Sequence, residues 1–275
     1  MNPANAENAK LRRMARVLQP ALVLWWRELI RFKRQKSRWI GALGTPLIFW
    51  LLIGSGIGAS FRPPAGSDSI DYLEYFYPGT VLLVILFTSI FSTFSVIEDR
   101  REGFLLSVLV APVSRLAIVL GKVLGGTTVA LIQGILLLAL APLLGFQLAP
   151  VSILVLIFGL FAVAFWLTGL GFGLAWRINS SAGFHSLMNV VLFPMWLLSG
   201  ALFPSEGASV WVQWIMAVNP LTYGLALLRR GLYWSEPDPA GFFPHVTVSA
   251  LVTLVCVITA MVFSTWVIRP ETGKQ

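Results

Sequence analysis

Charge, histidine and cysteine are scarce in this chain of 275 residues. Acidic and basic residues make up 12% of it, there are two histidines, and Cys256 is the single cysteine. One cysteine cannot form a disulfide within the chain, and no His-x-x-x-His or Cys-x-x-Cys pair is present, so the sequence predicts no metal site. A soluble domain of this length would need far more charge on its surface. The composition therefore excludes an ordinary soluble protein.

Hydrophobic residues take the place of the missing charge. They make up 57% of the chain, which has 11 Trp and a mean hydropathy of +0.80. Six apolar stretches are long enough to cross a hydrocarbon core of about 30 Å as helices, whereas barrel strands would alternate over roughly ten residues. The sequence predicts one all-α integral membrane domain, 1–275, with six transmembrane helices at 39–60, 77–97, 123–145, 151–176, 184–203 and 246–268.

The basic residues predict the orientation of these spans. Residues 1–38, 98–122, 177–183 and 269–275 hold 17 of the 20 Lys and Arg residues. Because positive residues favour the cytoplasmic side, we expect both termini in the cytoplasm and a multi-pass protein of the plasma membrane, the inner or cytoplasmic membrane of a bacterium. The basic residues flank the spans instead of forming one soluble face, so the formal charge of +8 does not indicate nucleic-acid binding.

Residues 1–38 read as a cytoplasmic amphipathic segment. Apolar residues recur at three-and-four spacing, and Pro20 suits the first turn of a second helix, so the pattern predicts a pair of surface helices. Trp25 and Trp26 would anchor the pair among lipid headgroups. A plain anchor for membrane lipids and a segment that also touches a protein partner both fit this pattern. The apolar stripe consists of Leu11, Met14, Leu18, Leu22, Trp25, Leu29 and Phe32.

The outer segment 204–245 contains two apolar stretches, 210–218 and 221–232, separated by Asn219 and Pro220. Neither is long enough to span the membrane. Short apolar helices broken by proline and rich in tryptophan suit a re-entrant hairpin whose turn is covered by protein. A hydrophobic lid lying flat on the membrane fits the composition equally well.

Polar residues inside the predicted spans are few. These spans contain no Asp or Glu, which weakens the interpretation as an ion-coupled carrier. Gln133 lies in the third span, and His185 and Asn189 share one helix face near the start of the fifth. These three residues are candidates for lining a substrate path, and bonding to a neighbouring helix is the alternative role.

The chain has no phosphate-binding loop of the Gly-x-x-x-x-Gly-Lys-Ser/Thr type. Gly121 and Lys122 are followed by Val123, and Leu116 stands where the leading Gly is needed. The chain by itself is therefore not expected to bind ATP in the usual way or to be an enzyme. The loop 98–122 is nevertheless densely charged, which indicates that it meets something outside the lipid.

Three motifs resemble one family. They are Arg101-Glu102-Gly103-Phe104-Leu105 with the following 109–115 and 120–122, the stretch 198–204 (Leu-Ser-Gly-Ala-Leu-Phe-Pro), and 219–224 (Asn-Pro-Leu-Thr-Tyr-Gly) followed by Arg229. Their order and the six-span topology make the whole chain similar to membrane permease subunits of type-two ATP-binding-cassette (ABC) exporters, of the daunorubicin-resistance and nodulation-factor kinds.

The resemblance implies a division of labour. Similar permeases pair as two copies and dock onto two separately encoded ABC ATPase subunits, which bind ATP and Mg. The loop after span two then forms a coupling helix in a groove of the ATPase, with the N-terminal surface helix alongside. The matching residues here are Glu98, Asp99, Arg100, Arg101, Glu102, Gly103, Phe104, Leu105, Pro112, Ser114 and Arg115, and the outer hairpin is matched by Asn219, Pro220, Tyr223 and Arg229.

The residues fit such a docking role. The five charges at 98–102 suit a polar rim, Phe104, Leu105 and Leu109 suit apolar knobs for a partner groove, and Gly103 permits a sharp turn.

An apolar path with few polar groups predicts an amphipathic or hydrophobic cargo such as a drug, lipid or glycolipid, and the resemblance implies export. An ion-coupled secondary transporter or channel is the alternative, and an intramembrane enzyme would need a catalytic cluster that the sequence does not assemble.

Overall fold

The computed structural model describes residues 3–58, 70–178, 180–234 and 244–268, and every regular element in these ranges is helical. Residues 235–243 of the outer segment and the predicted C-terminal segment 269–275 lie outside the described residues, as do the side chains of Leu11 and Met14. The α-helices are α1 (Pro3–Arg34), α2 (Lys36–Ile57), α3 (Tyr72–Arg101), α4 (Phe104–Val110), α5 (Arg115–Leu138), α6 (Pro150–Arg177), α7 (Ser181–Leu187), α8 (Phe193–Trp196), α9 (Val210–Val218), α10 (Pro220–Leu232) and α11 (Val246–Val267).

Shorter elements extend three of these helices. The 3-10 helix Ala141–Leu144 follows α5, and the π-helical turns Met188–Leu192 and Leu197–Ala201 lie on either side of α8. Another 3-10 turn, Ser205–Gly207, leads into α9. Together α7, α8 and the two π turns make one continuous stretch, Ser181–Ala201, which we call span five.

Among the described residues, six helices are long and apolar enough to cross a membrane: α2, α3, α5 with its 3-10 extension, α6, span five and α11. The prediction of an all-α membrane protein with six spans is confirmed. Several helix ends differ from the predicted boundaries: α3 begins at Tyr72 and continues to Arg101, and α5 already begins at Arg115. The predicted loop 98–122 is therefore reduced to 102–114, with α4 inside it. The apolar run of the second span ends before helix α3 does, because the charged residues in the last turn of α3 are paired.

The second span, α3, forms the centre of the bundle. Its residues Val81, Leu82, Val84 and Ile85 are completely buried, and α2, α5, α6 and α10 pack around it. Four neighbours leave α3 little contact with lipid, whereas α2 and α11 lie at the periphery with most of their surface exposed.

The N-terminal segment is one helix, α1, so the predicted helix pair is wrong. The helix continues through Pro20, where a backbone hydrogen bond is lost but the chain is not broken. One side of α1 packs on α5, and the Trp25 indole N–H donates to the hydroxyl of Thr128 at 3.0 Å. The opposite side exposes an apolar stripe made of Leu18, Leu22, Val23, Trp26 and Ile30.

Two glycines of α5 allow this close packing. A Cβ atom placed on Gly121 would lie 2.7 Å from the carbonyl oxygen of Ala21, and one on Gly125 would lie 2.6 Å from the Cβ of Glu28. Small residues four apart let helix backbones approach closely. Gly121 and Gly125 therefore allow α1 to pack closely against α5.

The hairpin after span five consists of two unequal helices. In α9, Trp211, Trp214 and Val218 are 65%, 70% and 78% exposed, whereas in α10 Leu221, Leu225 and Leu228 are completely buried. Helix α10 packs against α6, α11 and α3 inside the bundle. A lid lying flat on the membrane would keep one face of each helix away from the bundle, so the burial of α10 favours the re-entrant hairpin.

Substituting Gly125→Val tests the contact between α1 and α5. The added side chain has no room beside Glu28 and should destabilise the folded protein by about 1–3 kcal/mol through overpacking. Thermal unfolding in detergent measures the change. Gly56→Val is the matched control, because a Cβ atom there meets nothing within 4 Å. Equal stability of the two variants would contradict the packing described here.

Candidate functional site

A buried carboxylate lies at the end of the bundle where α3 finishes and α5 begins, which we call the charged end. Asp99 is completely buried. The guanidinium of Arg27 donates to both of its oxygens, at 2.9 Å and 2.7 Å, and Arg31 donates to Oδ1 at 2.7 Å. The second Nη of Arg31 reaches Glu98 at 2.7 Å. Two turns of α1 are thereby bound to the last turns of α3.

A lysine from α5 completes this group. Lys122 is 5% exposed, and its ammonium donates to Asp99, to Glu28 at 2.6 Å and to the hydroxyl of Ser95 at 3.2 Å. We call the six charged residues Arg27, Glu28, Arg31, Glu98, Asp99 and Lys122 the ion cluster. It contains three acids and three bases, so its formal charges balance.

The balance is what makes burial tolerable. An isolated charge removed from water is very costly, whereas paired charges with satisfied hydrogen bonds are retained. The side-chain hydrogen bond to Asp99 raises the pKa of Arg27 above its ordinary value. Arginine is cationic at physiological pH in any case, and the hydrogen bond to Asp99 further favours the charged form of Arg27.

Two further arginines hold the ends of neighbouring helices. Arg100 donates to the carbonyl of Trp176 and, at 3.4 Å, to that of Ala175, at the end of α6. Arg115 donates to the carbonyl of Ile268 at 2.9 Å, directly after α11. The last carbonyls of a helix have no partner within it and carry partial negative charge. These arginines thus join the segment between α3 and α5 to α6 and α11.

Helix α4 projects from this framework. Gly103 has a φ of 75°, the left-handed conformation that glycine adopts without strain, and it turns the chain sharply out of α3. Leu105 is buried, but Leu106, Leu109 and Val110 are 64%, 40% and 88% exposed. Helix α4 therefore presents an apolar face, although it is not a membrane span.

The structure places the predicted coupling residues in three different settings. Asp99 is buried and Glu98 pairs with Arg31, so neither forms the exposed polar rim that we expected. Leu105 is buried, so it is not the exposed apolar knob that we expected; Phe104 is half-buried under Arg27, with 3.7 Å between its ring centroid and Cζ, and Leu109 is exposed. Ser114 accepts the N–H of Ala117 at 3.1 Å and caps α5. The residues of this set that are exposed are Arg101, Glu102, Leu109 and Pro112.

The sequence interpretation missed the ion cluster. It assigned Lys122 to the charged loop, to an incomplete phosphate loop and to the family motif, and the charges of α1 to a surface helix face and to the membrane orientation, but it paired none of them. One signal was available: Lys122 stands in an otherwise apolar run, 116–124, and such a lysine needs a buried partner. Nothing in the local pattern identifies that partner as Asp99.

The three candidate path residues do not lie together. Gln133 is completely buried, with its Oε1 accepting from Thr88, so it bonds to a neighbouring helix and lines no open path. His185 and Asn189 are both exposed on span five. The His185 ring lies 4.4 Å from that of Phe94, measured between centroids, and 5.8 Å from that of Phe91.

The outer-hairpin residues are brought together with the second motif. The amide nitrogen of Asn219 donates to the carbonyls of Met195 at 2.5 Å and Leu198 at 2.9 Å, and Arg229 donates to that of Gly200 at 2.9 Å. Pro220 is the first residue of α10, and the hydroxyl of Tyr223 donates to the carbonyl of Ala217 at 2.7 Å. Three of these four residues are thus tied by hydrogen bonds to the hairpin or to span five.

Removing the central charge of the ion cluster tests its role. Asp99→Asn leaves Arg27, Arg31 and Lys122 without their shared anion, and breaking a buried pair in this way should cost about 3–5 kcal/mol of stability. Thermal or chemical unfolding in detergent measures the loss. Glu102→Gln, one exposed charge removed nearby, should change stability by about 0.5 kcal/mol or less. Similar losses in both variants would show that the cluster contributes nothing specific.

The family described as ABC-2 type transporter matches residues 20–233, a range that includes the ion cluster, α4 and the hairpin. The chain is 31% identical to the transport permease ycf38 of Cyanophora paradoxa over 217 residues, which cover 77% of this chain and 73% of ycf38.

Two other relatives carry more specific names. Nodulation protein J of Rhizobium leguminosarum bv. viciae is 25% identical over 218 residues, covering 76% of this chain and 80% of that protein. The daunorubicin resistance ABC transporter permease protein DrrB1 of Streptomyces coeruleorubidus is 22% identical over 236 residues, covering 83% and 79%. The resemblance seen in the sequence is confirmed, and the chain belongs to the ABC-2 type transporter family as a membrane permease, a transport subunit rather than a catalytic enzyme.

Proposed function

We propose that this permease exports an amphipathic or hydrophobic compound, driven by a separately encoded ABC ATPase that docks on α4. The observation that carries the proposal is the exposed apolar face of α4, formed by Leu106, Leu109 and Val110 on a helix held to the bundle at both ends. Helix α4 is not one of the spans, so the hydrocarbon core of the membrane does not cover this face. A protein partner is the occupant that the family implies.

The framework around α4 supports transmission of movement. Arg100 and Arg115, which flank α4, bind the ends of α6 and α11, and Arg27 of α1 lies over Phe104 at the start of α4. A push on α4 would therefore reach helices on three sides. Rigid elements joined by such contacts can carry coupling between sites.

A groove beside α4 enlarges the proposed docking surface. It has a volume of about 550 Å³ and lies between α1 and the end of α3. Val23, Trp26 and Ile30 supply its apolar lining, while Arg34 and Glu102 supply charges of both signs. An apolar centre with charged edges is the usual composition of a protein interface.

Docking of an ATPase on α4 requires the charged end to lie in the cytoplasm, where ATP is available. The distribution of Lys and Arg in the sequence supports the same orientation, with both termini cytoplasmic. The plasma membrane remains our proposal for the membrane concerned. Leu18 and Leu22, the exposed residues of the α1 stripe that do not line the groove beside α4, would then contact membrane lipids at the cytoplasmic surface.

We further propose that two copies of the chain and two ATPase subunits form the transporter. Six spans provide half of the path found in similar exporters. Span five supports this assembly, because His185, Asn189 and Val190 remain exposed along one of its faces. His185 and Asn189, next to Phe91 and Phe94, are the residues that we propose to meet the cargo on its way.

The lining of the opposite end supports an amphipathic cargo. A groove of about 630 Å³ lies between span five and α9, and most of its lining is apolar, including Met195, Leu198, Trp214 and Val218. Pockets of this size and composition suit apolar ligands with few polar groups. Export, as opposed to import, rests on the family relationship.

Substituting the exposed face of α4 tests the docking proposal. Leu106→Ser with Val110→Ser should leave folding intact, because both side chains are exposed, but should weaken ATPase binding by about 2 kcal/mol or more, as expected when apolar anchors of an interface are truncated. Co-purification with the separately encoded ATPase measures binding, and the mass of the complex in nanodiscs measures copy number. The purified chain alone should hydrolyse no ATP.

The control for this experiment is Leu143→Ser, which changes a residue that is 83% exposed in the 3-10 helix after α5, away from α4. The docking proposal is wrong if the double variant retains the ATPase as well as the control does. Robust ATP turnover by the isolated chain would also overturn it.

Transport into inverted vesicles tests the cargo. With the ATPase present, ATP should drive accumulation of at least one compound from a panel of labelled lipids and hydrophobic drugs. His185→Ala with Asn189→Ala should raise the apparent KM for that compound, whereas Ser186→Ala, a neighbouring exposed residue, should not. ATP-dependent accumulation of a small inorganic ion, without response to any amphipathic compound, would refute the proposal.

A further inference from the structure

Span five breaks its own hydrogen-bond pattern at the end of the bundle opposite the ion cluster. Pro194 has no N–H to donate, and Leu198 (φ −91°, ψ 23°) and Gly200 (φ 89°) lie outside the helical region. Gly200 accepts this left-handed conformation because it has no Cβ. Carbonyl groups released by such a break need other donors, since the surroundings are apolar.

Four side chains supply these donors. We call Tyr72, Tyr75, Asn219 and Arg229 the carbonyl clamp. The side-chain amide of Asn219 donates to the carbonyls of Met195 and Leu198. The hydroxyl of Tyr75 and the guanidinium of Arg229 both donate to Gly200, at 3.0 Å and 2.9 Å, and Tyr72 donates to Leu202 at 2.9 Å. The donors come from the start of α3 and from both ends of α10.

Arg229 is the charged member of the clamp. It is 1% exposed, and its Cζ lies 4.3 Å from the centroid of the Tyr75 ring. A buried cation beside the carbonyl end of a helix and over an aromatic face is favourably placed on both counts. The proposed transport path and the ion cluster make no use of this arginine.

The earlier part of span five has more exposed residues than its end. His185, Asn189 and Val190 are exposed, whereas Ser199, Gly200 and Ala201 are fully buried. The π-helical turn Met188–Leu192, which contains Asn189 and Val190, and Pro194 both precede the buried end. Helices bend preferentially at π turns and at proline.

We propose that Arg229 is a positioning residue that fixes one end of span five, so that the span bends at 188–194 during transport. Only the consequence for transport rests on the proposed function. The fixed end itself follows from the hydrogen bonds of the clamp. Loss of the Arg229 contact should loosen 197–203 and let the bend spread along the span.

Hydrogen-deuterium exchange of the full chain in nanodiscs tests the clamp without ATPase or cargo. Arg229→Met should accelerate amide exchange in 197–203 by about tenfold or more, because a charge-assisted hydrogen bond in an apolar site is lost. Arg229→Lys keeps the charge but not the geometry of the guanidinium, so its effect should be intermediate. Arg230→Met is the matched control, since this adjacent arginine lies over Trp234 and not at Gly200.

Equal exchange in Arg229→Met and Arg230→Met would overturn the proposal. If Arg229→Met does not yield folded protein, Arg229→Lys and Tyr75→Phe decide, because each weakens one of the two bonds to Gly200; unchanged exchange at 197–203 in both would overturn the inference. In the transport assay, Arg229→Lys should lower the number of cargo molecules moved per ATP, with ATPase binding unchanged. Absence of transport by the unmodified protein would refute the proposed function and leave the exchange result standing.

Discussion

The burial of the Asp99 carboxylate is the constraint on which the charged end depends. A carboxylate with no exposure to water needs nearby cations, and here they come from two helices: Arg27 and Arg31 from α1, and Lys122 from α5. The requirement fixes the position of α1 on the bundle. Neither α1 nor the end of α3 can shift without leaving charge unpaired, so electrostatics and the glycine contacts of α5 specify the same packing.

The opposite end obeys the same rule with different groups. Span five exposes backbone carbonyls instead of a carboxylate, and Tyr75, Asn219 and Arg229 donate to them. Between the two ends the bundle is held by apolar packing around α3. Polar satisfaction therefore determines where helices end and break, and the apolar contacts between these points determine which helices are neighbours.

This division explains how far the sequence allowed prediction. The six spans were predictable because each is an apolar run of sufficient length. The ends of α3 and α5 were not, since charge at 98–101 suggested a loop while its partners lie about 70 residues earlier, in α1. The prediction that Gln133 lines a path was wrong because a polar residue in a span can either line a path or bond to a neighbouring helix. Here it bonds to Thr88. The motif containing Asn219 and Arg229 was recognisable, but its partner carbonyls were not.

The ion cluster also bears on the source of energy. The predicted spans lacked acidic residues, yet α3 extends far enough to include Asp99, so the argument against an ion-coupled carrier needs a different basis. In the described part of the chain this carboxylate already has three cationic donors, and a coupling proton or metal ion would have to displace them. Breaking such a pairing costs several kcal/mol. The sequence also has no phosphate-binding loop, and we therefore propose that the energy for movement enters through a partner ATPase bound at α4.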